Sequence, residues 1–180
     1  MQQITDRMFS TRIATQIYAK ICFEATNSQK KIIENLSEYL SDDDFSRIFV
    51  LNGFAGTGKT TLIAALVAAL KELRIKPVLL APTGRAAKVL ARYCGEQALT
   101  IHKRIYRQRT NADYESKFSL DFNREQGAVF IVDEASMLSD STGDGALFGS
   151  GSLLEDLVSY VRSGRGCRLI LVGDSAQLPP

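Results

Sequence analysis

Between an apolar run, Ile48 to Leu51, and a helix-patterned run carrying Leu62, Leu66, Leu70 and Leu73 stands Gly53-Phe54-Ala55-Gly56-Thr57-Gly58-Lys59-Thr60. The string fits G-x-x-x-x-G-K-[ST], a pattern tied to one local architecture: strand, glycine-rich turn, helix. Glycines let the backbone aim its N–H groups inward around a phosphate, and the following helix points its positive end at the same spot. Lys59 would reach the β- and γ-phosphates of a nucleoside triphosphate, while the Thr60 hydroxyl would ligate Mg2+. At average residue frequencies a chance match in a chain of this length is on the order of 1 in 200. A plain glycine-rich turn is therefore the weaker reading.

The remaining pattern agrees with that unit. Pro77 introduces Val78-Leu79-Leu80-Ala81, a helix is predicted from about Gly84 to Tyr93, and Val129 to Val132 forms a third apolar strand. Leu153, Leu154, Leu157, Val158 and Val161 make a helical stripe that stops near Gly164, before a fourth strand at Leu169 to Val172. Short strands without apolar–polar alternation, separated by helices, predict an α/β fold with a mostly parallel sheet covered on both faces. Upstream, Ile13, Ile17 and Ile21 suggest a helix within 4–22, and Thr26 with Gln29 fits a capping box opening a second helix that ends at Ser41-Asp42-Asp43-Asp44. The polar stretch 107–126 and the Gly/Ser-rich stretch 140–152 read as exposed loops or an insertion.

Composition excludes several classes. Lys plus Arg (22) nearly balances Asp plus Glu (20), for a net charge of +2. A nucleic-acid partner must then be argued from local sites, since bulk electrostatics does not supply it. The longest wholly apolar run, Leu62 to Leu70, is far short of the roughly 20 residues that cross a bilayer. The opening residues lack the basic stretch and apolar block of a signal peptide. Cys22, Cys94 and Cys167 are widely spaced, with no C-x-x-C. They read as free thiols in a reducing compartment, hence a cytoplasmic protein with no membrane partner.

Two further strings end strands. Val129 to Val132 runs into Asp133-Glu134, and the fourth strand runs into Gly173-Asp174-Ser175-Ala176-Gln177. Beside a phosphate loop, Asp133 would hold Mg2+ and Glu134 would orient and deprotonate an attacking water. Gln177 would contact that water or the γ-phosphate and so report which nucleotide is bound. Each of the four strands thus ends in a candidate site residue, at the edge where open α/β sheets bind ligands.

Taken in order, the phosphate loop, Ala81-Pro82-Thr83-Gly84-Arg85-Ala86-Ala87, Val132-Asp133-Glu134-Ala135-Ser136-Met137 and Gly173-Asp174-Ser175-Ala176-Gln177-Leu178-Pro179-Pro180 resemble the first motor domain of superfamily 1 DNA helicases, RecD-like branch. The resemblance covers roughly 23–180, behind an N-terminal helical segment at 1–22. It implies a three-layer phosphate-loop NTPase fold (RecA-like) in an ATP-dependent DNA helicase, with ATP and Mg2+ bound. It gives Lys59, Asp133, Glu134 and Gln177 catalytic roles and Thr60 and Asp133 the metal. Nucleotide binding falls to Gln29, Gly53, Ala55, Gly56, Thr57, Gly58, Lys59, Thr60 and Thr61. Phe23-Glu24-Ala25-Thr26-Asn27-Ser28-Gln29 looks like the adenine-reading segment, although Gln29 also fits the capping box.

Thr83-Gly84-Arg85 resembles a segment touching single-stranded DNA, and a hydroxyl, an open backbone and a cation at a helix start suit a phosphate. A helix cap with a solvated Arg85 is the other reading. Thr100-Ile101-His102 resembles a further DNA-contacting segment, while a lone histidine is more often structural. Lys103, Arg104, Arg107 and Arg109, interleaved with Tyr106, suit either strand tracking or a solvated basic face. The family uses a second RecA-like domain that 180 residues do not encode, so a fragment of a longer helicase is expected, binding nucleotide but turning it over poorly. The rival is a nucleotide-dependent, non-catalytic binding or regulatory module.

Overall fold

The computed structural model describes residues 2–22, 24–53, 56–110, 116–138 and 149–174. Helix α1 (Gln2–Lys20) and helix α2 (Asn27–Ser41) come first. Both halves of the expected capping box are present: Thr26 Oγ1 accepts the Gln29 N–H, and Gln29 Oε1 accepts the Thr26 N–H. Asp42 caps the other end.

The chain then alternates through β1 (Ile48–Asn52), α3 (Lys59–Glu72), β2 (Pro77–Ala81), α4 (Gly84–Cys94), β3 (Ala98–Thr100) and α5 (Ile101–Ile105). A hairpin of β4 (Tyr106–Thr110) and β5 (Ser116–Leu120) precedes β6 (Val129–Val132), α6 (Leu153–Ser163) and β7 (Arg168–Gly173). The main sheet has the order β1-β7-β6-β2-β3 with every neighbouring pair parallel. Residues of alternating parity feed two cores. Leu79, Ile131 and Ile170 pack under α1 to α4, while Leu80, Phe130 and Leu169 pack under α5 and α6. Burial on both faces explains why these strands show apolar runs in place of alternation. This is the expected three-layer α/β architecture.

Three expectations are corrected. The sheet has a fifth strand, β3, whose register Ala81↔Thr100 sets it beside β2; three residues are too few to make an apolar run. The stretch 107–126 is not simply a loop, because Tyr106–Thr110 pairs antiparallel with Ser116–Leu120. Only one face of that hairpin is apolar, with Tyr106, Phe118 and Leu120 meeting the second core, so its pattern is diluted by polar residues. The first helix lies two residues earlier than expected, with Ile13 and Ile17 wholly buried against the core that α2 and α3 share. Of the Gly/Ser-rich stretch, 139–148 lie outside the described residues, and 149–152 form turns leading into α6. The three cysteines are free, and among the described residues no helix is long and apolar enough to cross a membrane.

Candidate nucleotide-binding site

Strand β1 delivers the chain to Gly53, and α3 begins at Lys59 with Gly58 as its N-cap. Gly56 and Gly58 have φ of +79° and +84°, the left-handed region that costs a side chain about 1–2 kcal/mol. A Cβ at Gly58 would also stand 3.1 Å from Gln29 Nε2. Gly58→Ala is therefore expected to lower the melting temperature by about 2–8 °C, read by thermal unfolding. An unchanged midpoint would mean that the loop does not depend on this backbone conformation.

Gln29 bridges two elements. Its Oε1 closes the α2 capping box while Nε2 donates to the Thr57 carbonyl at 3.4 Å. Of the two expected readings of Gln29 the cap is formed, and the same side chain also faces the phosphate loop. Lys59 Nζ donates to the Gly53 carbonyl, so its stem folds across the turn.

Two strands away in the sheet, β6 ends in Asp133 and Glu134. The Asp133 N–H donates to the Leu80 carbonyl, and its Oδ1 accepts the Glu134 N–H at 3.0 Å. Glu134 sits at φ +56°, a conformation unusual for a residue with a side chain, and it turns the chain sharply into a short 3-10 segment, Ala135–Met137. Strain of this kind concentrates at functional sites. Burial pushes the Asp133 carboxyl above its ordinary pKa, opposed by the Glu134 N–H and the Lys59 charge. Strand β7 lies between β1 and β6, and the Asp174 N–H reaches Ser136 Oγ at 3.5 Å.

These pieces bound one cavity of about 450 Å3. Gly56, Gly58, Lys59, Thr60 and Thr61 form one wall, Asp133 and Glu134 a second, and Val172 to Asp174 a third. Tyr93 of α4 completes it, a residue the sequence reading missed. Its only signal was an exposed aromatic one turn after Val89 on an amphipathic helix. A larger hollow of about 930 Å3, between α1, α2 and the start of β1, contains none of the motif residues. Ala55 and Gln177 lie outside the described residues.

The donor set fits Mg2+. Among the described residues no group of three or more His, Cys, Asp or Glu converges to hold a metal alone. A hydroxyl (Thr60) and one carboxylate (Asp133) on the same cavity match an ion that prefers a few protein oxygens, water and substrate phosphates.

The residues with a DNA resemblance gather elsewhere on the same sheet edge. Thr83 Oγ1 accepts the Ala86 N–H and caps α4, leaving Gly84 and Arg85 exposed. Thr100 Oγ1 likewise accepts the Lys103 N–H and caps α5. Because Ala81 pairs with Thr100, Thr83 to Arg85 and His102 emerge from adjacent parallel strands. The His102 ring lies 5.7 Å from that of Tyr106. The basic run is partly neutralised: Arg104 pairs with Glu125 at 2.6 Å and Arg107 with Asp121 at 2.5 Å.

Residues 24–180 match the sequence family described as an AAA domain. The chain is 30% identical over 153 residues to the ATP-dependent RecD2 DNA helicase of Deinococcus radiodurans, covering 85% of this chain and 19% of that protein. It is 36% identical over 155 residues to the RecBCD enzyme subunit RecD of Mycobacterium tuberculosis, covering 73% of this chain and 24% of the subunit. It is 33% identical over 135 residues to the ATP-dependent DNA helicase dda of Enterobacteria phage T4, covering 72% and 27%. The chain thus spans about a quarter or less of the length of these curated relatives.

Proposed function

The chain belongs to the AAA domain family, and from that membership and its likeness to RecD2, RecD and dda we propose that it is the ATP-binding motor domain of a RecD-like, ATP-dependent DNA helicase working in the cytoplasm. One observation carries the reading: Lys59, Thr60, Asp133, Glu134 and Asp174 arrive from three separate strands and bound one cavity beside the phosphate loop. Lys59 and the N-terminal end of α3 would neutralise the β- and γ-phosphates. Mg2+ held by Thr60 and Asp133 would withdraw charge from the phosphate oxygens. Glu134 would take the proton of the water that attacks the γ-phosphate in line, and Gln177 would contact the γ-phosphate. Gln29, held beside the loop by Thr57, would contact the adenine edge. In the complete helicase, a second RecA-like domain would supply a further cation to the same phosphate.

Single-stranded DNA would lie across the ends of β2 and β3, on Thr83, Gly84, Arg85 and His102. Glycine is not demanded at 84 by packing, since a Cβ there would meet nothing within 4 Å. That openness suits the close approach of a phosphate. The test is binding of a labelled oligothymidylate as a function of salt. Arg85→Ala is expected to weaken binding about 3- to 10-fold whatever the base sequence, and to reduce the slope of log affinity against log salt by about 1. Unchanged affinity and slope would remove this segment from the DNA path.

A further inference from the structure

Helix α4 touches both halves of the proposed machinery. It starts at Thr83-Gly84-Arg85, and near its other end Tyr93 lines the cavity with Lys59 and Asp133. Arg85, Val89 and Tyr93 recur at i, i+4 and i+8, which stacks them along one side of a helix. All three are exposed, whereas Ala87 and Leu90 on the opposite side are buried in the core. Packing therefore fixes α4 through one face and leaves the other free to meet ligands. At 1.5 Å per residue, Arg85 and Tyr93 are about 12 Å apart along the axis.

Core packing does not account for the Tyr93 ring, which is 64% exposed. Tyr93 and Asp133, the acid assigned to the metal, line the same cavity, and the neighbouring Cys94 thiol is pushed up to about 11 by burial and by the negative charges of Asp133 and Glu96. The other end of α4 is held by the Thr83 cap, and Gly95, in the left-handed conformation, terminates the helix.

Resting on the ATP and DNA sites proposed above, we propose that Tyr93 is a positioning residue that couples them: its contact with the phosphate end of the nucleotide sets where α4 sits, and α4 carries Arg85. ATP and ADP differ at that end of the ligand, so they contact Tyr93 differently. A ligand shifts a conformational equilibrium only through such differential contact. Linkage then requires that any factor by which ATP changes DNA affinity also be the factor by which DNA changes ATP affinity. Couplings of this kind run from about 5- to 150-fold.

The experiment measures the dissociation constant of a labelled oligothymidylate with MgADP and with a non-hydrolysable Mg–ATP analogue. In the wild-type chain the two constants are expected to differ at least about 5-fold. Tyr93→Ala is expected to bring their ratio to within about twofold of unity. Its analogue affinity should fall far less than in Lys59→Ala. Tyr93→Phe assigns the effect: a restored ratio credits the ring and a lost one the hydroxyl, either result supporting the role of Tyr93. Val89→Ala, one turn away on the same exposed side, should keep the wild-type ratio. A wild-type ratio in Tyr93→Ala overturns the proposal, and so does an equal loss in Val89→Ala, which would trace the effect to helix stability. A wild-type chain that binds both ligands with a ratio of one overturns the coupling alone. One that binds neither overturns the underlying ATP and DNA sites as well.

Discussion

Lys59→Ala is expected to weaken MgATP binding by about 100-fold or more, while leaving the fold as stable as before. The two effects separate because Lys59 is badly placed for its own helix. It is the first residue of α3, with no acidic residue in that turn, and a cation at a helix N-terminus opposes the macrodipole by about 0.3–1 kcal/mol. Alanine removes that repulsion and has the better helix propensity. Against this stand the bond from Nζ to the Gly53 carbonyl, worth about 1 kcal/mol, and the attraction between the Lys59 charge and Asp133. The melting temperature should therefore move by no more than about 2–4 °C. For the nucleotide no such cancellation exists. Charge-assisted hydrogen bonds to phosphate are worth about 1.5–3 kcal/mol, and the upper part of that range corresponds to roughly a hundredfold in affinity. Titration of a fluorescent ATP analogue, with a melt of the same samples, checks both halves. Equal affinity for wild type and variant would remove the phosphate-loop assignment.

What could be read from the residues alone was whatever is local. The phosphate loop is eight consecutive residues, the capping box four, and β2, β6 and Leu169 to Val172 of β7 are uninterrupted apolar runs because both faces of the sheet are covered. Asp133 was readable because it follows such a run. The features that escaped notice depend on distant partners or on very short elements. Strand β3 exists because Leu79 to Ala81 offers it an edge. The hairpin exists because Phe118 and Leu120 find the second core. Tyr93 joins the cavity through the direction in which α4 crosses the domain, a property that no string around residue 93 encodes. The basic run shows the same limit in reverse: its charge was plain, but Asp121 and Glu125, which absorb part of it, lie 14 and 21 residues from their partners Arg107 and Arg104.

Arg168 is the clearest case of a long-range contact, and its removal is expected to cost about 3 kcal/mol. It is the first residue of β7 and is 7% exposed. Nη1 donates to the Tyr39 carbonyl at 2.9 Å and Nη2 donates to the Asp42 carbonyl. Those acceptors belong to the last turn and cap of α2, where helix carbonyls have no partner within the helix. The guanidinium carbon also stands 4.5 Å from the Phe45 ring centre and 5.5 Å from that of Tyr39. Burial lowers the guanidinium pKa, opposed by Tyr39 and the acids of the α2 turn, and the group stays charged because its ordinary value is so high. Arg168→Ala leaves two carbonyls unsatisfied, at about 1–3 kcal/mol each before relaxation, and it opens space beside two rings. For a domain of this size 3 kcal/mol lowers the melting temperature by about 6–12 °C. Arg168→Lys should recover less than half of the loss, because one ammonium cannot reproduce the planar fork that spans both carbonyls. The clamp also bears on the site. The Tyr39 hydroxyl donates to the Leu169 carbonyl and accepts the Leu169 N–H, so α2 and β7 are tied together at the end of the sheet opposite the cavity. From there α2 runs to Gln29 and β7 to Asp174, and a loosened clamp should weaken MgATP binding about two- to fivefold at a temperature where the variant is still folded. A variant that melts within about 2 °C of wild type would show that α2 is held by its apolar face alone.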